Sequence, residues 1–335
     1  MNLIDVSGLG HSGKSSVNGF LSEFDNLDVH PPGYELNICR LTAGLFDLHE
    51  TSIRVDDVQY FDRMFKLNKT LFSNLLPEVP FITKSKESAL EYLHTLLVER
   101  TDNLPWYDVL YSDGHLSFRQ KLKKTPIGSY LIQFKRAILK NHPFPTNHVY
   151  FPRINPKEDW IDLFLQFIFN SDNLVCNNLF GPSISNNKLD LIPSCKSIFV
   201  LRDPRDIIAS IGHRNRYIPD FERKNDIQQQ DLKKSFVSKT DLSYFVDQQK
   251  RFRDRVSELN PERCLVIWFE DICLNYQSTT QRIMDFLILD PMNHKAPRIY
   301  FDPSKSKKNI GLYKSYIDQT SIRFIEMQMR DYLYE

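Results

Sequence analysis

Short apolar runs along the chain alternate with stretches of helical periodicity, a pattern that predicts an α/β fold. Residues 3–6 form an apolar run typical of a buried strand, and apolar side chains recur at helical spacing over residues 17–24. Further strand-like runs lie at Glu35–Cys39, Leu174–Cys176, Ser197–Leu201 and Cys264–Trp268. Because helical or loop segments separate the last three, we expect a three-layer fold, with a central parallel sheet flanked by helices.

The pattern changes between about Leu41 and Asn170, where strand-like runs are few and aromatic residues are many. Segments such as ALEYLHTLLVER and WIDLFLQFIFN have helical periodicity. No Gly/Ser linker, repeat or low-complexity tract separates this region from its flanks. We therefore expect one α/β domain over residues 1–335, with residues 41–170 as a long, mainly helical insertion.

Composition and charge narrow the class only a little. The chain has 335 residues, 41% of them hydrophobic and 25% charged, as in an ordinary globular protein. A formal net charge of +1 gives no overall attraction to nucleic acid or acidic membranes. The five cysteines form no CxxC pair, and no apolar run reaches membrane-spanning length. The first strand leaves no room for a signal peptide, so we expect a cytoplasmic protein without a nucleic-acid partner or a transmembrane segment.

The most specific motif near the start is GLGHSGKS, Gly8 to Ser15, which satisfies the phosphate-loop pattern G-x-x-x-x-G-K-[ST]. It lies between a predicted strand and a predicted helix, where successive backbone N–H groups and the helix dipole favour an anion. The alternative is a tight turn with an accidental lysine. The candidate anion-binding residues are Gly10, His11, Ser12, Gly13, Lys14, Ser15 and Ser16.

A second informative stretch is SIFVLRDPRDIIAS, from Ser197 to Ser210. An apolar strand ends in Arg202, and Asp206 is predicted to cap a helix that carries Ser210 in its early turns. Arg202 and Ser210 can therefore converge on one anion. The alternative is a structural strand-to-helix turn whose arginine pairs with an aspartate.

LRDPRDIIAS is similar to the R-[DN]-P-[RK]-D-x-x-x-S signature of sulfotransferases that use 3′-phosphoadenylyl sulfate (PAPS). In that family the arginine and the serine bind the 3′-phosphate. VIWFEDICLNYQSTTQRIMDFLIL resembles the family's strand, Glu-Asp and helix segment, and SKKNIGLYKSY resembles its late basic loop, which implies phosphate contacts for Lys307 and Lys308. The opening loop lies where the 5′-phosphosulfate loop belongs. The resemblance implies a P-loop-like fold, PAPS as donor, adenosine 3′,5′-bisphosphate (PAP) as product and no metal.

The chain departs from the family where the chemistry occurs. Many members read P-K-S-G-T in the first loop, where this chain has Gly10 to Lys14, so either Lys14 or His11 is implied as the cation at the leaving oxygen. Cytosolic members place a catalytic histidine where VCNNLF has Asn178. Carbohydrate-directed members carry a glutamate near the second strand, which implies Glu35 as the general base. A salt bridge from Glu35 to Arg40 or to a lysine of the late loop is the alternative.

The expected function is therefore transfer of a sulfuryl group from PAPS to an acceptor hydroxyl, with a bacterial-type carbohydrate as the favoured acceptor. A glycan or a small molecule is the expected partner, and residues 41–170 are expected to contribute to the acceptor site. Peripheral contact with a membrane glycan pathway stays open. Two alternatives also stay open: a P-loop kinase or NTPase using ATP and Mg²⁺, with Ser15 and Asp203 as metal ligands, and a nucleotide-binding protein without catalysis.

Overall fold

The computed structural model describes residues 2–31, 33–54, 58–101, 151–154, 158–215, 239–316 and 319–335. Its strands are β1 (Asn2–Ser7), β2 (Asp28–Val29), β3 (Val98–Thr101), β4 (Phe151–Ile154), β5 (Asn173–Asn177), β6 (Cys195–Leu201) and β7 (Cys264–Trp268). The described α-helices are Lys14–Leu21, Leu45–Arg54, Val58–Leu75, Lys86–Leu97, Trp160–Ile168, Asn186–Asp190, Pro204–Asn215, Lys239–Ser257, Phe269–Leu274, Tyr276–Leu287, Pro303–Ser306, Tyr313–Tyr316 and Gln319–Gln328.

The central sheet has five parallel strands in the order β2-β5-β1-β6-β7. In the register, Leu3 of β1 lies opposite Leu174 on one side and Cys195 on the other. Helices flank this sheet, so the predicted α/β class with a central parallel sheet is confirmed. The strand predictions near residues 3–6, 174–176, 197–201 and 264–268 are also confirmed. Their continuous apolar runs reflect burial within the sheet.

The predicted strand at Glu35–Cys39 is wrong. The edge strand is instead the two-residue β2, and residues 37–40 form a turn in which the Arg40 N–H donates to the Asn37 carbonyl at 3.1 Å. The His30 N–H still reaches β5 through the Val175 carbonyl at 2.9 Å. Pro31 and Pro32 come next in the sequence, and a proline has no N–H with which to continue a ladder.

A buried apolar cluster fixes the start of the first helix against the sheet. Val17 and Phe20 are at most 1% exposed and belong to the same cluster as Val6 and Ile267 of the strands. Their helical spacing places them on the face that packs on β1. The segment between β1 and this helix is therefore anchored at both ends by hydrophobic packing.

The chain divides into two compact units. The first comprises residues 1–40, 79–83 and 168–335 and holds the parallel sheet; the second comprises residues 41–78 and 84–167. In the second unit, Phe72 stacks on Phe164 with ring centroids 5.6 Å apart, and the Trp160 Nε1–H donates to His49 Nδ1 at 3.0 Å. The interpretation of residues 41–170 as an insertion in one domain, contributing to an acceptor site, stays a prediction.

Among the residues that the structure describes, no helix combines the length and the apolar character needed to cross a membrane. The cytoplasmic location expected from the sequence stays a prediction.

Candidate functional site

The loop from Gly8 to Ser16 includes the connection from β1 to the helix Lys14–Leu21 and the first residues of that helix. Close packing beneath the loop sets its shape. Gly13 has φ of 91°, and a Cβ there would lie 2.3 Å from the Phe269 ring. Both features require glycine. A Cβ on Gly10, in contrast, would meet nothing within 4 Å. The loop is thus packed on its inner side and open at Gly10.

Two buried donors of this region have no hydrogen-bond partner among the residues that the structure describes. The Ser12 hydroxyl and the Arg202 Nε are both shielded from solvent without a hydrogen bond, and Ser12 is 2% exposed. Leaving a buried polar group unsatisfied costs about 1–3 kcal/mol, so such groups are uncommon unless a ligand completes them. Both atoms donate to oxygen, and the guanidinium is positively charged. These two residues therefore fit an anionic ligand.

Arg202 and Ser210 come together with the loop through His11. Arg202 follows β6 and donates from Nη1 to the His11 carbonyl at 3.0 Å. The Ser210 hydroxyl, on the helix Pro204–Asn215, lies 3.2 Å from His11 Nδ1. Arg202 and Ser210 therefore both contact His11 of the loop, and their convergence on one anion stays a prediction. Burial lowers the pKa of Arg202, against the opposing effect of Asp206.

The late basic segment is joined to the same arginine. Arg202 Nη2 donates to the Asn309 carbonyl at 2.6 Å, and residues 307–309 form a 3₁₀ turn. Lys307 and Lys308 lie on this turn and are exposed. The sequence therefore identified the segment correctly as a neighbour of Arg202. Phosphate binding by the two lysines stays a prediction.

Asp206 does not cap the helix as the sequence predicted. The helix begins at Pro204, and Asp203 caps it by accepting the Arg205 N–H at Oδ1, 2.8 Å away. Asp206 lies one turn further on and accepts the Gly311 N–H at 2.7 Å and the Tyr313 N–H at 3.1 Å. Burial raises its pKa. Asp206 therefore holds the late basic segment, a role that no local pattern revealed.

Further charged residues surround the signature turn, and sequence reasoning missed them. Arg205 donates to both oxygens of Asp203, from Nε at 3.0 Å and from Nη2 at 2.7 Å, and to Glu326 at 2.8 Å. Glu270 Oε1 accepts the Asp203 N–H at 2.9 Å, and burial raises the pKa of Glu270 to about 7. The R-D-P-R-D run already contained opposite charges, but its partners at positions 270 and 326 are remote in sequence.

Glu35 lies at the centre of an ion-pair network beside the loop. Its Oε1 accepts from Lys14 Nζ at 3.4 Å and from Asn178 Nδ2 at 2.7 Å, and its Oε2 accepts from Arg40. Lys14 also donates to the Gly8 carbonyl at 3.1 Å. Burial lowers the pKa of Lys14, and Glu35 opposes that shift. The salt bridge considered between Glu35 and Arg40 is present, and the two proposed catalytic residues Lys14 and Glu35 are in contact.

Ser15 and Ser16 complete the predicted loop set. Ser16 donates from Oγ to the Gly13 carbonyl at 2.6 Å, which closes the first turn of the helix, and Ser15 is exposed. Among the residues that the structure describes, no group of three or more His, Cys, Asp or Glu side chains has a metal-binding arrangement. The expectation that no metal takes part stays a prediction.

Residues 183–329 match the family model described as "Sulfotransferase domain". The predicted resemblance is confirmed over these residues, which contain Arg202, Ser210, Lys307 and Lys308. The loop, Glu35 and Asn178 lie outside the matched segment, and the loop contacts it through the hydrogen bonds of His11 with Arg202 and Ser210.

Several solved structures align over most of the chain at low identity. The sulfotransferase domain from the curacin biosynthetic pathway is 13% identical, with TM-score 0.42, covering 97% of this chain and 96% of that one. The sulfotransferase domain of the Synechococcus PCC 7002 olefin synthase is 12% identical, with TM-score 0.39 and coverage of 97% and 94%. Retinol dehydratase with androsterone and inactive cofactor PAP is 14% identical, with TM-score 0.34 and coverage of 99% and 81%.

No curated protein matches the chain.

Proposed function

We propose that this chain transfers a sulfuryl group from PAPS to an acceptor hydroxyl. The single observation that carries the proposal is the contact of Arg202 and Ser210, both within the sulfotransferase domain, with His11 of the opening loop. That contact joins a family signature for a 3′-phosphate to a loop whose geometry suits a second anion. A donor with two separated phosphate groups matches such a pair of sites.

The 3′-phosphate is assigned to Arg202, Ser210, Lys307 and Lys308. The unsatisfied Arg202 Nε supplies a free N–H in this group, and the exposed lysines of the 307–309 turn add positive charge. The phosphosulfate end is assigned to the loop from Gly10 to Ser16, where the Ser12 hydroxyl is available. Binding energy at the distant 3′-phosphate positions the donor for reaction at the other end.

The chemistry is an in-line displacement at sulfur. The acceptor oxygen forms a bond to sulfur as the bond from sulfur to the bridging oxygen breaks, and the electron pair leaves with PAP. Negative charge grows on that bridging oxygen, so loop N–H groups and Lys14 stabilise the transition state. His11 is the alternative cation, and its ring contact with Ser210 places it nearer the 3′-phosphate residues.

We assign Glu35 as the general base that takes the proton from the acceptor hydroxyl. Its side chain is 36% exposed and contacts Lys14, so the carboxylate lies beside the cation assigned to the leaving oxygen. A positioned base contributes a factor of about 10²–10⁴ to such a reaction. The carboxylate is also held by Arg40, so Glu35 must give up part of this pairing when it accepts the proton.

A carbohydrate hydroxyl is the acceptor we favour, because Glu35 resembles, by its place in the sequence, the glutamate of carbohydrate-directed family members. We place the reaction in the cytoplasm, with a glycan or small-molecule acceptor bound partly by residues 41–170. Labelled PAPS offered with glycans, phenols and lipids in parallel tests the acceptor class. Labelling of phenols or lipids but of no glycan would contradict the carbohydrate assignment.

The donor is tested by ligand-induced stabilisation. PAP should raise the melting temperature without Mg²⁺, and AMP, which lacks the 3′-phosphate, should raise it much less. Arg202→Ala should abolish the difference between the two ligands. Greater stabilisation by ATP with Mg²⁺ than by PAP would contradict the proposal.

A kinase or NTPase is the second candidate, favoured by the complete G-x-x-x-x-G-K-[ST] match. A kinase or NTPase requires a carboxylate that binds Mg²⁺ near Ser15, and the sequence suggested Asp203 for this role. Both Asp203 oxygens accept hydrogen bonds from Arg205, and Oδ2 also accepts the Tyr334 N–H at 3.3 Å. A carboxylate engaged in this way is poorly suited to bind a metal, which supports the sulfotransferase proposal over this one.

The third candidate, nucleotide binding without catalysis, is favoured by the pairing of Glu35 with two cations. Tight PAP binding with no transfer to any acceptor in the labelled-donor screen would support it.

A further inference from the structure

Asn178 has all its polar groups engaged by different parts of the candidate site. Its side-chain Oδ1 accepts the Gly8 N–H at 3.1 Å, and its Nδ2 donates to Glu35 Oε1 at 2.7 Å. Its backbone N–H donates to the Val6 carbonyl at 3.1 Å, and its carbonyl accepts from Arg40 Nε at 3.0 Å. The residue is 6% exposed, so water contributes little to these contacts.

The backbone of Asn178 is fixed as firmly as its side chain. It has φ of 52°, in the left-handed region, where asparagine is enriched among non-glycine residues. The next residue, Leu179, donates its N–H to the fully buried Asp5 carboxylate at 2.9 Å. Asp5 lies on β1 just before the loop, so the turn after β5 is attached to the strand that leads into the loop.

We propose that Asn178 is a positioning residue that fixes the Glu35 carboxylate and the start of the loop relative to each other. The Gly8 N–H needs an acceptor and the Glu35 carboxylate needs a donor, and a side-chain amide supplies both. An aspartate would satisfy Gly8 and repel Glu35, whereas a glycine would keep the backbone conformation and satisfy neither. The role in catalysis rests on the proposed function, in which Glu35 is the base.

The hydrogen bond from Asn178 orients the Glu35 carboxylate for the proposed reaction. Glu35 lies outside any described strand; the Leu36 N–H anchors the backbone beside it to the Asn177 carbonyl at 2.9 Å, and side-chain partners orient its carboxylate. Arg40 and Lys14 attract the carboxylate by charge, and the neutral amide of Asn178 adds a short directional bond from the turn after β5. Small displacements of a reacting group lower turnover steeply, which makes a directional contact valuable here.

A charge-swap cycle tests the Asn178–Glu35 contact without any ligand. Asn178→Asp should lower the melting temperature, because two carboxylates then face each other where a hydrogen bond stood. Adding Glu35→Gln should reverse the loss, because the glutamine Nε2–H₂ can donate to the new aspartate. Additive losses in the double variant would overturn the proposed contact. This cycle does not depend on PAPS, so its result is separate from the fate of the proposed function.

Turnover of labelled PAPS with the best acceptor from the screen tests the positioning role. Asn178→Gly should lower kcat by about 10- to 100-fold, with PAP affinity changed less than kcat, because the backbone conformation survives. The swapped double variant should bind PAP and remain slow, since glutamine cannot take the proton. Normal kcat in Asn178→Gly would overturn the positioning role.

Ile288→Gly is the matched control. Ile288 also has a positive φ, of 59°, and is 82% exposed at the end of the helix Tyr276–Leu287, so it shares the backbone feature without the polar contacts. The kcat of the Ile288→Gly variant should equal that of the unmodified chain. A fall in kcat equal to that of Asn178→Gly would overturn the proposal, because the effect would then follow from any such glycine substitution.

Discussion

Removal of the Asp206 carboxylate tests how the late basic segment is held for donor binding. Asp206 is 1% exposed and accepts the Gly311 N–H at 2.7 Å and the Tyr313 N–H at 3.1 Å. Arg202 holds the same segment through the Asn309 carbonyl at 2.6 Å. Asp206→Ala should therefore leave the exposed Lys307 and Lys308 on a loosened segment while Arg202 stays in place.

The magnitude follows from the two lost hydrogen bonds. A hydrogen bond to a charged group contributes about 1.5–3 kcal/mol net, so the pair contributes about 3–6 kcal/mol at most. Burial raises the pKa of Asp206, which offsets part of this gain, and the partly exposed Gly311 and Tyr313 can bind water instead. If PAP binding must supply about 2–3 kcal/mol to order the loosened late segment, PAP affinity falls by about 30- to 150-fold.

Calorimetric titration with PAP measures this loss, and AMP serves as the ligand without a 3′-phosphate. AMP affinity should change little in Asp206→Ala, because the late segment is assigned to the 3′-phosphate alone. Asp290→Ala is the matched control: Asp290 also accepts a backbone N–H, from Met292 at 2.8 Å, in a turn outside the candidate site. A folded Asp206→Ala variant whose PAP affinity is within about threefold of the unmodified chain would refute the reasoning.

Three further predictions concern the loop, the base and the buried sheet. Lys14→Ala should lower turnover far more than PAP affinity, with a smaller effect for His11→Ala; the reverse ranking in steady-state kinetics would assign the leaving-group role to His11. Glu35→Gln should lower turnover by about two to four orders of magnitude while PAP binding survives, and near-normal turnover would exclude Glu35 as the base. Burial raises the pKa of Asp5 to about 6 from 3.8, so the folded chain binds this proton more tightly than the unfolded chain. The free energy of unfolding contributed by Asp5 should therefore fall by about 3 kcal/mol as pH rises through this range, whereas Asp5→Asn should lack that fall in urea titrations; parallel pH profiles would contradict it.

Features that depend on neighbouring residues could be predicted from the sequence. The apolar runs of β1, β5, β6 and β7 marked buried parallel strands, because a strand enclosed by helices is apolar on both faces. The glycine loop and the Arg202 to Ser210 spacing were also local, since a strand-to-turn-to-helix unit brings its own residues together within a few positions. The resemblance to sulfotransferases followed from the same local stretches.

Local pattern failed where the chain is irregular. The apolar residues of Glu35–Cys39 suggested a strand, but the prolines before them supply no N–H for a ladder and the residues turn at Asn37. Glu35 nevertheless lies beside the loop, because the Leu36 N–H is held by the Asn177 carbonyl at the end of β5, 2.9 Å away. Glu35 thus lies beside the loop without belonging to a described strand, and its role as the base stays a prediction.

Which charged and polar groups meet depends on the folding of distant segments onto one another. Glu35 and Asn178 are 143 residues apart in sequence, and Asp206 and Gly311 are 105 apart, yet both pairs are hydrogen-bonded. Side-chain periodicity carries no information about such partners. Asn178 and Asp206 follow the parallel strands β5 and β6, whose carboxyl ends lie at one edge of the sheet, whereas Glu35 and Gly311 reach them from segments that follow neither strand.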